Sequence, residues 1–459
     1  MVAGMNHPGV SHATPSVAAR LDRLPVVRAH RVATLVIGLG LFFDIYENFL
    51  AATISQVLRE ELELGRTELS LLLGSAFVGQ FIGALTMGRL ADRIGRRPAF
   101  VVNLLVYSLF SLLGAFSPNV WFLVATRFFA GIGIGAEFSL ADSYLSDLLP
   151  RRVRGRYISW AYTMAFLGVP VVGLLARWLV PLQPLGVDGW RWLFVIGALG
   201  SFVVWAVRRG LPESPRWLEL QGRHDEADAI VSRLEDQARA AGHDLETPDP
   251  AVRAVQVPKR SIGALFAPVH RRRTSMLWVL SALEVFGYYG FGTIAPTVLA
   301  AKGFDVVESL GFVALTYAGY PIGSILAVPV VERFERKHLV MASAAAMAAA
   351  GLWFGFASSP ASIVAAGFVY TAVSNLFSNA YHVYLADSYP TAIRGTGTGA
   401  AYSLSKIVTG VMPFVLLPFL DDHGPTGVFT LVTVVMAALV VNVGVLGHRT
   451  TGQSVDRVD

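Results

Sequence analysis

The chain contains no cysteine and few charged residues for its length. None of the 459 residues is Cys, which excludes disulfide bonds, thiolate catalysis and cysteine-ligated metals. Asp, Glu, Lys and Arg make up 15% of the chain, against about 25% in soluble domains. No phosphate-binding loop of the G-x-x-x-x-G-K-[S/T] type occurs, and the histidines lack metal-ligand spacing. We therefore expect no enzyme activity, no cofactor, no metal site and no drive from nucleotide hydrolysis.

Hydrophobic residues are abundant and are arranged in long blocks. They make up 54% of the chain. As helices, blocks of about 20 residues are long enough to cross a hydrocarbon core of about 30 Å. The twelve blocks lie near residues 32–53, 70–90, 99–116, 120–140, 157–180, 192–207, 275–300, 310–330, 339–357, 362–385, 397–420 and 427–446. The sequence therefore predicts an all-α membrane protein with twelve transmembrane helices.

Charged residues between the blocks predict the orientation. Lys and Arg concentrate in alternate loops, so the positive-inside rule places both termini in the cytoplasm of a multi-pass protein of the inner cell membrane. No apolar run of 7–15 residues precedes the first block, so we expect no cleaved signal peptide. The net charge of +5 follows from this topology, and we expect no nucleic-acid partner.

The blocks divide the chain into two six-helix bundles. We place the bundles at 32–207 and 275–447, with cytoplasmic segments at 1–31 and 448–459 and a cytoplasmic linker at 208–274. The apolar spacing within the linker predicts short amphipathic helices at the membrane surface. Pro215 would begin one of these helices, with Ser214 as its N-cap.

Charged residues repeat along the chain at an offset of 240 residues. The matched positions are Asp44 with Glu284, Asp92 with Glu332, Arg96 with Arg336, Asp147 with Asp387, and Arg154 with Arg394. A long repeat in a hydrophobic chain indicates two similar halves, and paired halves enclose a midplane site in many transporters. We therefore expect two pseudo-symmetric bundles around such a site.

Two motifs carry a resemblance to a known family. The loop GRLADRIGRRP at 88–98 matches the G-x-L-x-D-R-x-G-R-[RK] loop of the major facilitator superfamily. LPESPRWL and the paired D-x-x-P-x-x-x-R-G elements resemble its sugar-porter and organic-ion branches. The resemblance covers nearly the whole chain. It implies the twelve-helix fold of that superfamily and transport by alternating access.

The resemblance also implies a gate on the cytoplasmic side, which holds the halves together when the site opens outward. Its residues would be Gly88, Asp92, Arg93, Gly95, Arg96, Asp147, Arg154, Glu332, Arg336, Asp387 and Arg394. Gly88 and Gly95 would permit close backbone approach. In the second copy Glu335 stands where a Gly is expected, so we expect a looser turn there. The alternative is that the arginines only enforce topology.

Ionisable groups inside the apolar blocks are candidates for proton coupling, because burying them in a membrane is costly. Asp44 and Glu47 share one face of the first helix at i and i+3. Arg127 lies at a similar depth in the fourth helix, and Glu137 lies further inward. Proton-coupled relatives pair an acid on the first helix with an arginine on the fourth, and Asp44 with Arg127 resembles that pair. The alternative is a structural ion pair that carries no proton.

The second half supplies candidates for binding the solute. The stretch EVFGYYGFGTIAPTVL lacks the Gln pair and the Asn of sugar porters and resembles organic-acid permeases, including nicotinate-type carriers. Those relatives carry an arginine in the eleventh helix, a role that Lys406 would take here as a point charge. The expected binding residues are Arg127, Glu284, Tyr288, His382 and Lys406.

Together these features predict a secondary active transporter. It would move a small organic solute, a carboxylate, with protons, and would act as a monomer in the lipid bilayer. A sugar or polyol symporter is the alternative that PESPRWL favours. An exporter or uncoupled facilitator is a third possibility. A non-transporting membrane sensor would need an output domain larger than the linker or either terminal segment.

Overall fold

The computed structural model describes residues 16–249, 262–389 and 393–450, apart from the side chains of Ile262 and Glu332. The described chain is helical and contains no strand. Spans 1 to 6, in chain order, are Arg28–Thr53, Arg66–Ile94, Arg96–Ala115, Val120–Ile134 with Glu137–Leu148, Arg154–Phe166 with Gly168–Leu179, and Gly189–Arg208. Spans 7 to 10 are Arg271–Ala301, Val306–Tyr317 with Gly319–Arg333, Arg336–Phe356, and Pro360–Asp387. Spans 11 and 12 lie within Arg394–Val411 and Pro413–Leu446. Shorter helices are Val17–Asp22, Ser55–Glu61, Pro215–Leu220 and His224–Ala240, with single 3-10 turns at Pro184–Gly186 and Ile262–Phe266.

The last helical stretch contains two spans. Arg394–Leu446 is 53 residues long, or about 80 Å as a straight helix, which is far more than one crossing needs. Gly424 breaks it with φ of +68°, a left-handed conformation that favours glycine. Arg66 pairs with Asp421 just before the break, at 2.8 Å. Lys337 donates to the carbonyl of Gly444, at 2.9 Å, back on the face that holds the basic loops. The chain therefore reverses at Gly424, and the prediction of twelve spans is confirmed.

The two halves repeat their helix packing at the same offset of 240 residues. A Cβ on Gly83 of span 2 would lie 2.1 Å from the carbonyl oxygen of Ile132 on span 4. A Cβ on Gly323 of span 8 would lie 2.1 Å from the carbonyl oxygen of Ala372 on span 10. Both pairs of helices therefore pack backbone to backbone, as small residues allow in membranes. The repeat seen in the charged residues is thus a repeat of structure.

The halves are in contact at mid-depth and on the face opposite the basic loops. A Cβ on Gly74 would lie 2.2 Å from the Gly410 carbonyl oxygen, which joins span 2 to span 11. Gly173 packs in the same way against Ala314, which joins span 5 to span 8. The Arg66–Asp421 ion pair closes the same face. The structure is therefore closed on the side away from the basic loops.

The linker forms the predicted helices, and they pack on protein. Ser214 Oγ accepts from the backbone N–H of Trp217 at 3.0 Å, and Pro215 is the first helical residue, so the predicted N-cap is confirmed. Trp217 and Leu234 are buried in one cluster with the helix Val17–Asp22. The apolar faces that were expected to lie on the membrane surface therefore pack instead against the N-terminal helix and the first bundle.

Candidate functional site

Three of the predicted gate residues of the first half, Asp92, Arg96 and Asp147, come together at one turn. Arg96 donates to Asp92 at 2.8 Å, and its Nε lies 3.9 Å from Asp147. Gly95 has φ of +105°, which favours glycine and turns span 2 into span 3. No atom of the described residues lies within 4 Å of a Cβ built on Gly88, so the close approach expected there is absent from this part of the structure. Arg93 is exposed.

The linker residues that follow span 6 bind this turn. The sequence predicted the turn but not this contact. Glu213 accepts from the backbone N–H of Arg96 at 3.0 Å and so caps span 3. Ser214 Oγ donates to Asp147 at 2.8 Å, and the Trp217 indole donates to the Asp92 carbonyl at 3.2 Å. The PESPRW segment is therefore the partner of the GRLADRIGRRP loop. The N-terminus of span 3 favours a nearby carboxylate, and this preference is the signal that could have predicted the role of Glu213.

The second copy of the gate is simpler. Arg336 pairs with Asp387 at 3.2 Å, and Arg394 donates to the Tyr389 carbonyl at 3.4 Å. Glu335 has φ of −61°, so this turn needs no left-handed residue, in line with the departure expected there. The side chain of Glu332 lies outside the described residues. The ion pairs shown for the predicted gate, Arg96 with Asp92 and Asp147 and Arg336 with Asp387, each join residues of a single half.

A buried ion pair joins spans 1 and 4, but its acid is Glu47. Arg127 Nη1 donates to Glu47 Oε2 at 2.5 Å, and Nη2 donates to the Glu47 carbonyl at 2.7 Å. Ser111 donates to the other carboxylate oxygen. The predicted Asp44–Arg127 pair is therefore wrong. Asp44 lies three residues earlier, about 4.5 Å along the helix axis, and Arg127 is level with Glu47.

A second buried ion pair joins spans 4 and 6. Glu137 accepts from Arg208, and each side chain is 1% exposed. The Arg208 guanidinium also donates to the Ile37 carbonyl at 3.3 Å and lies 4.5 Å from the ring centre of Phe100. The predicted linker begins at residue 208, but Arg208 does not belong to it. It is the last helical residue of span 6, and it points into the bundle.

Asp44 lies between these two ion pairs without a partner of its own. It is fully buried, and among the described residues neither carboxylate oxygen has a hydrogen-bond partner. The charges of Glu137, Arg208 and Glu47 act on it. With three acids and two arginines in this core, Asp44 is the surplus acid. An ionised carboxylate buried without a partner costs several kcal/mol, so Asp44 is the acid of this core that the ion pairs do not stabilise.

The second half buries a cation among aromatic rings. Lys406 Nζ donates to Tyr289 Oη at 2.8 Å. Its ammonium lies 5.7 Å from the ring centre of Phe77, 4.7 Å from that of Tyr289 and 4.9 Å from that of Tyr402. Glu284 is buried within electrostatic reach of Lys406, but no ion pair joins these two described residues. We call Phe77, Tyr289 and Tyr402 the aromatic cage; it holds a cation with attraction from its ring faces.

The remaining predicted binding residues fall into two groups. Tyr288 is 6% exposed and packs edge-on against the rings of Tyr289 and Tyr320, so it supports the aromatic cage at Tyr289. His382 is exposed although it lies within span 10, and its ring centre is 6.1 Å from that of Tyr402. His382 therefore faces the space between the halves. Arg127 is buried in its ion pair with Glu47 and, among the described residues, forms no hydrogen bond, ion pair or cation–π contact with the aromatic cage.

A small pocket adjoins the aromatic cage. Its lining comes from spans 1, 2 and 7 and consists of Asn48, Phe49, Ala52, Phe77, Tyr289, Gly292 and Thr293. The amide of Gln80 donates to Asn48. The pocket lining thus combines ring faces with the Asn48 amide and the Thr293 hydroxyl. Lys406 and Gln80 are not part of the lining, but each contacts a residue that is: Lys406 contacts Tyr289, and Gln80 contacts Asn48.

Comparison with known proteins agrees with this arrangement. Residues 36–459 match the family described as "Sugar (and other) transporter". YyaJ of Bacillus subtilis, which is named as a metabolite transport protein, is 33% identical over 397 residues, 86% of this chain and 87% of its own length. The niacin transporter NiaP of Acinetobacter baylyi is 30% identical, over 96% of this chain and 99% of its own.

A solved structure shares the fold. The inward-open xylose transporter XylE of E. coli superposes with a TM-score of 0.73 at 18% identity, over 93% of this chain and 98% of its own. The fold and the family match confirm the resemblance to the major facilitator superfamily. The chain therefore belongs to the sugar (and other) transporter family, and it is a multi-pass membrane transporter of a small organic solute rather than an enzyme.

Proposed function

We propose that this transporter moves a small organic carboxylate together with protons by alternating access. It would act as a monomer in the inner membrane of a bacterium, with both termini in the cytoplasm. The observation that carries the proposal is the surplus acid Asp44, fully buried between two ion pairs. A carboxyl group in that position binds a proton in one state of the transporter and releases it in another.

The proton path runs along the first half. In the state closed on the far face, Asp44 holds its proton because no cation pairs with it. The guanidinium of Arg208 reaches the Ile37 carbonyl, two turns from Asp44, and a Cβ on Gly40 would touch it. A small shift of Arg208 from Glu137 towards Asp44 stabilises the Asp44 carboxylate and leaves Glu137 to take the proton. Glu137 then passes it to the basic face.

The carboxylate of the solute binds Lys406 in the second half. Lys406 has ring faces and a tyrosine hydroxyl around it, so an incoming carboxylate supplies the opposite charge that it lacks. The rings of the aromatic cage stack on a planar solute. Niacin, which the relative NiaP is named for, is an aromatic carboxylate of this kind. Glu284 and His382 line the same space, and the gate residues close it when the halves rock.

A sugar or polyol symporter is the second candidate. The amide pair of Gln80 and Asn48 beside the aromatic cage favours it, because amides bind hydroxyl groups through both donor and acceptor atoms. In that case Lys406 would hold no substrate charge.

Uptake of labelled nicotinate into proteoliposomes tests the proposal. An inward-directed proton gradient is imposed or collapsed, and excess unlabelled xylose or benzoate is added as a competitor. With the proton gradient imposed, we expect proteoliposomes to accumulate several-fold more nicotinate than protein-free liposomes do. Unlabelled benzoate should reduce this nicotinate uptake, and unlabelled xylose should not. Uptake that ignores the gradient would contradict the coupling. Transport of labelled xylose, with nicotinate neither carried nor competing, would replace the carboxylate with a sugar.

A further inference from the structure

An acid outside the residues discussed so far lies in the membrane-spanning region of the first half. Tyr162 of span 5 donates to Asp142 Oδ1 of span 4 at 2.6 Å. Both side chains are half-buried, so one side of the pair is accessible. A carboxylate has about four lone-pair sites, and among the described residues Tyr162 is its one hydrogen-bond partner. Asp142 can therefore accept further hydrogen bonds from a solute.

The Asp142–Tyr162 pair lies on the side of the first half that approaches span 11 of the second half. Tyr402 of span 11 lies within electrostatic reach of both Asp142 and Tyr162. The same Tyr402 ring centre is 4.9 Å from Lys406 Nζ. A carboxylate from the first half and an ammonium from the second half thus approach one tyrosine, and the space beside it has a negative end and a positive end.

The internal repeat shows that the two halves carry different residues at the positions beside Tyr162 and Tyr402. At an offset of 240 residues Tyr162 corresponds to Tyr402, and Asp142 corresponds to His382. His382 stands beside Tyr402 with ring centres 6.1 Å apart, as Asp142 stands beside Tyr162. Two close-packing glycines, Gly83 and Gly323, are by contrast the same in both halves. The replacement of an acid by a histidine indicates a ligand whose two ends differ.

We propose that Asp142, oriented by Tyr162, accepts a hydrogen bond from a hydroxyl or amino group of the transported acid and so selects acids that carry such a donor. The inference rests on the proposed function, because Lys406 must hold the carboxylate. Asp142 repels the carboxylate of the solute and accepts from its donor, so the solute has one orientation between the halves. A solute that contacts span 4 and span 11 also joins the two bundles, which favours their closure around it.

The experiment measures binding of benzoate and of 2-, 3- and 4-hydroxybenzoate to the purified full-length protein by calorimetry. The readout is the ratio of the hydroxybenzoate affinity to the benzoate affinity, because a general loss of binding lowers both. We expect wild type to prefer at least one isomer about tenfold over benzoate, which corresponds to about 1.4 kcal/mol. Asp142→Asn lowers that preference to within about twofold, and Tyr162→Phe lowers it in part.

Ser143→Ala is the matched control, since Ser143 is the next residue of span 4 and donates to the Ser139 carbonyl; it keeps the wild-type preference. If Asp142→Asn does not fold, Asp142→Glu, which moves the carboxylate outward by one methylene, must change the preferred isomer. The inference is overturned if no isomer exceeds benzoate, or if the preference survives Asp142→Asn. Failure of the proposed function looks different: none of the four acids binds wild type, and the inference falls with it.

Discussion

The two halves share one fold but bury their charges in different ways. The first half holds two ion pairs in direct contact, Glu47–Arg127 and Glu137–Arg208, around the unpaired Asp44. The second half holds Lys406, which is surrounded by Tyr289, Tyr402 and Phe77 of span 2, and it holds Glu284, which forms no ion pair among the described residues. The positions that correspond to Glu47 and Arg127 are Gly287 and Gly367, so the ion pairs are specific to the first half.

The difference separates two tasks that a coupled transporter must combine. A dense set of paired charges with one surplus acid suits proton exchange, because small shifts change which acid is paired. A cation among ring faces suits a planar anion, because among the described residues no carboxylate forms a direct ion pair with it. We propose that the first half carries the proton and the second half holds the solute. The following changes break or sharpen that contrast, beginning with the largest expected effect.

Arg127→Leu breaks the first-half core. It leaves the Glu47 carboxylate buried without a partner, which costs about 3–5 kcal/mol in the free energy of unfolding. Thermal unfolding in detergent measures the loss. The double variant Glu47→Gln, Arg127→Leu removes both charges and recovers most of the stability. A single variant as stable as wild type would mean that the pair is not buried as described.

Lys406→Met removes the cation of the second half. We expect nicotinate affinity to fall about 10- to 100-fold, since a hydrogen bond to a charged group contributes about 1.5–3 kcal/mol. Lys302→Met is the matched control, because Lys302 donates to backbone carbonyls of Gly355 and Ala357 at the far face. If calorimetry gave wild type and Lys406→Met the same nicotinate affinity, the carboxylate of the solute would not bind at Lys406.

Asp44→Asn and Glu47→Gln distinguish the surplus acid from the paired one. The amide at position 44 replaces a neutral acid of the same shape, so the free energy of unfolding changes by less than about 1 kcal/mol. Glu47→Gln strands the Arg127 cation and costs about 3 kcal/mol. Equal losses in the two variants, measured by thermal unfolding, would show that Asp44 is ionised and paired.

The smallest effect concerns the linker, where acid pH releases the N-terminal helix. Burial favours the neutral form of Glu235, but hydrogen bonds from Arg20 and Arg23 outweigh burial and hold its pKa below the ordinary 4.5. Its contribution to stability is therefore present above pH 4.5 and is lost as the pH falls through the lower folded-state pKa. Hydrogen exchange in Val17–Asp22 should rise below that pH. Glu235→Gln should show the fast exchange already at neutral pH, and a pH-independent rate in wild type would contradict the account.

The architecture was readable from the sequence, whereas the pairing of charges was not. Block length and the 240-residue repeat fixed the twelve spans, and the Ser214 cap followed from local chemistry. Asp44 and Glu47 share a helix face, so only the depth and tilt of span 4 decide which one meets Arg127. Those quantities come from packing between helices, which local periodicity does not encode.

Two further residues were hidden by their positions. Arg208 ends an apolar block beside Arg209, so its charge looked like part of a basic loop, yet it folds back into the bundle. Asp142 lies two residues beyond the predicted fourth block, which ends at residue 140, so it was not a candidate for an acid inside a span. Its partner Tyr162 is twenty residues away, and the repeat that links it to His382 is visible only when uncharged positions are compared too.

The most direct test of the central claim is a comparison of nicotinate accumulation and nicotinate exchange in proteoliposomes carrying wild type or Asp44→Asn. Accumulation is driven by an imposed proton gradient, and exchange proceeds with nicotinate on both sides and needs no net proton movement. We predict that wild type performs both, and that Asp44→Asn exchanges but no longer accumulates. Accumulation by Asp44→Asn at the wild-type level would contradict the assignment of the proton to the surplus acid of the first half.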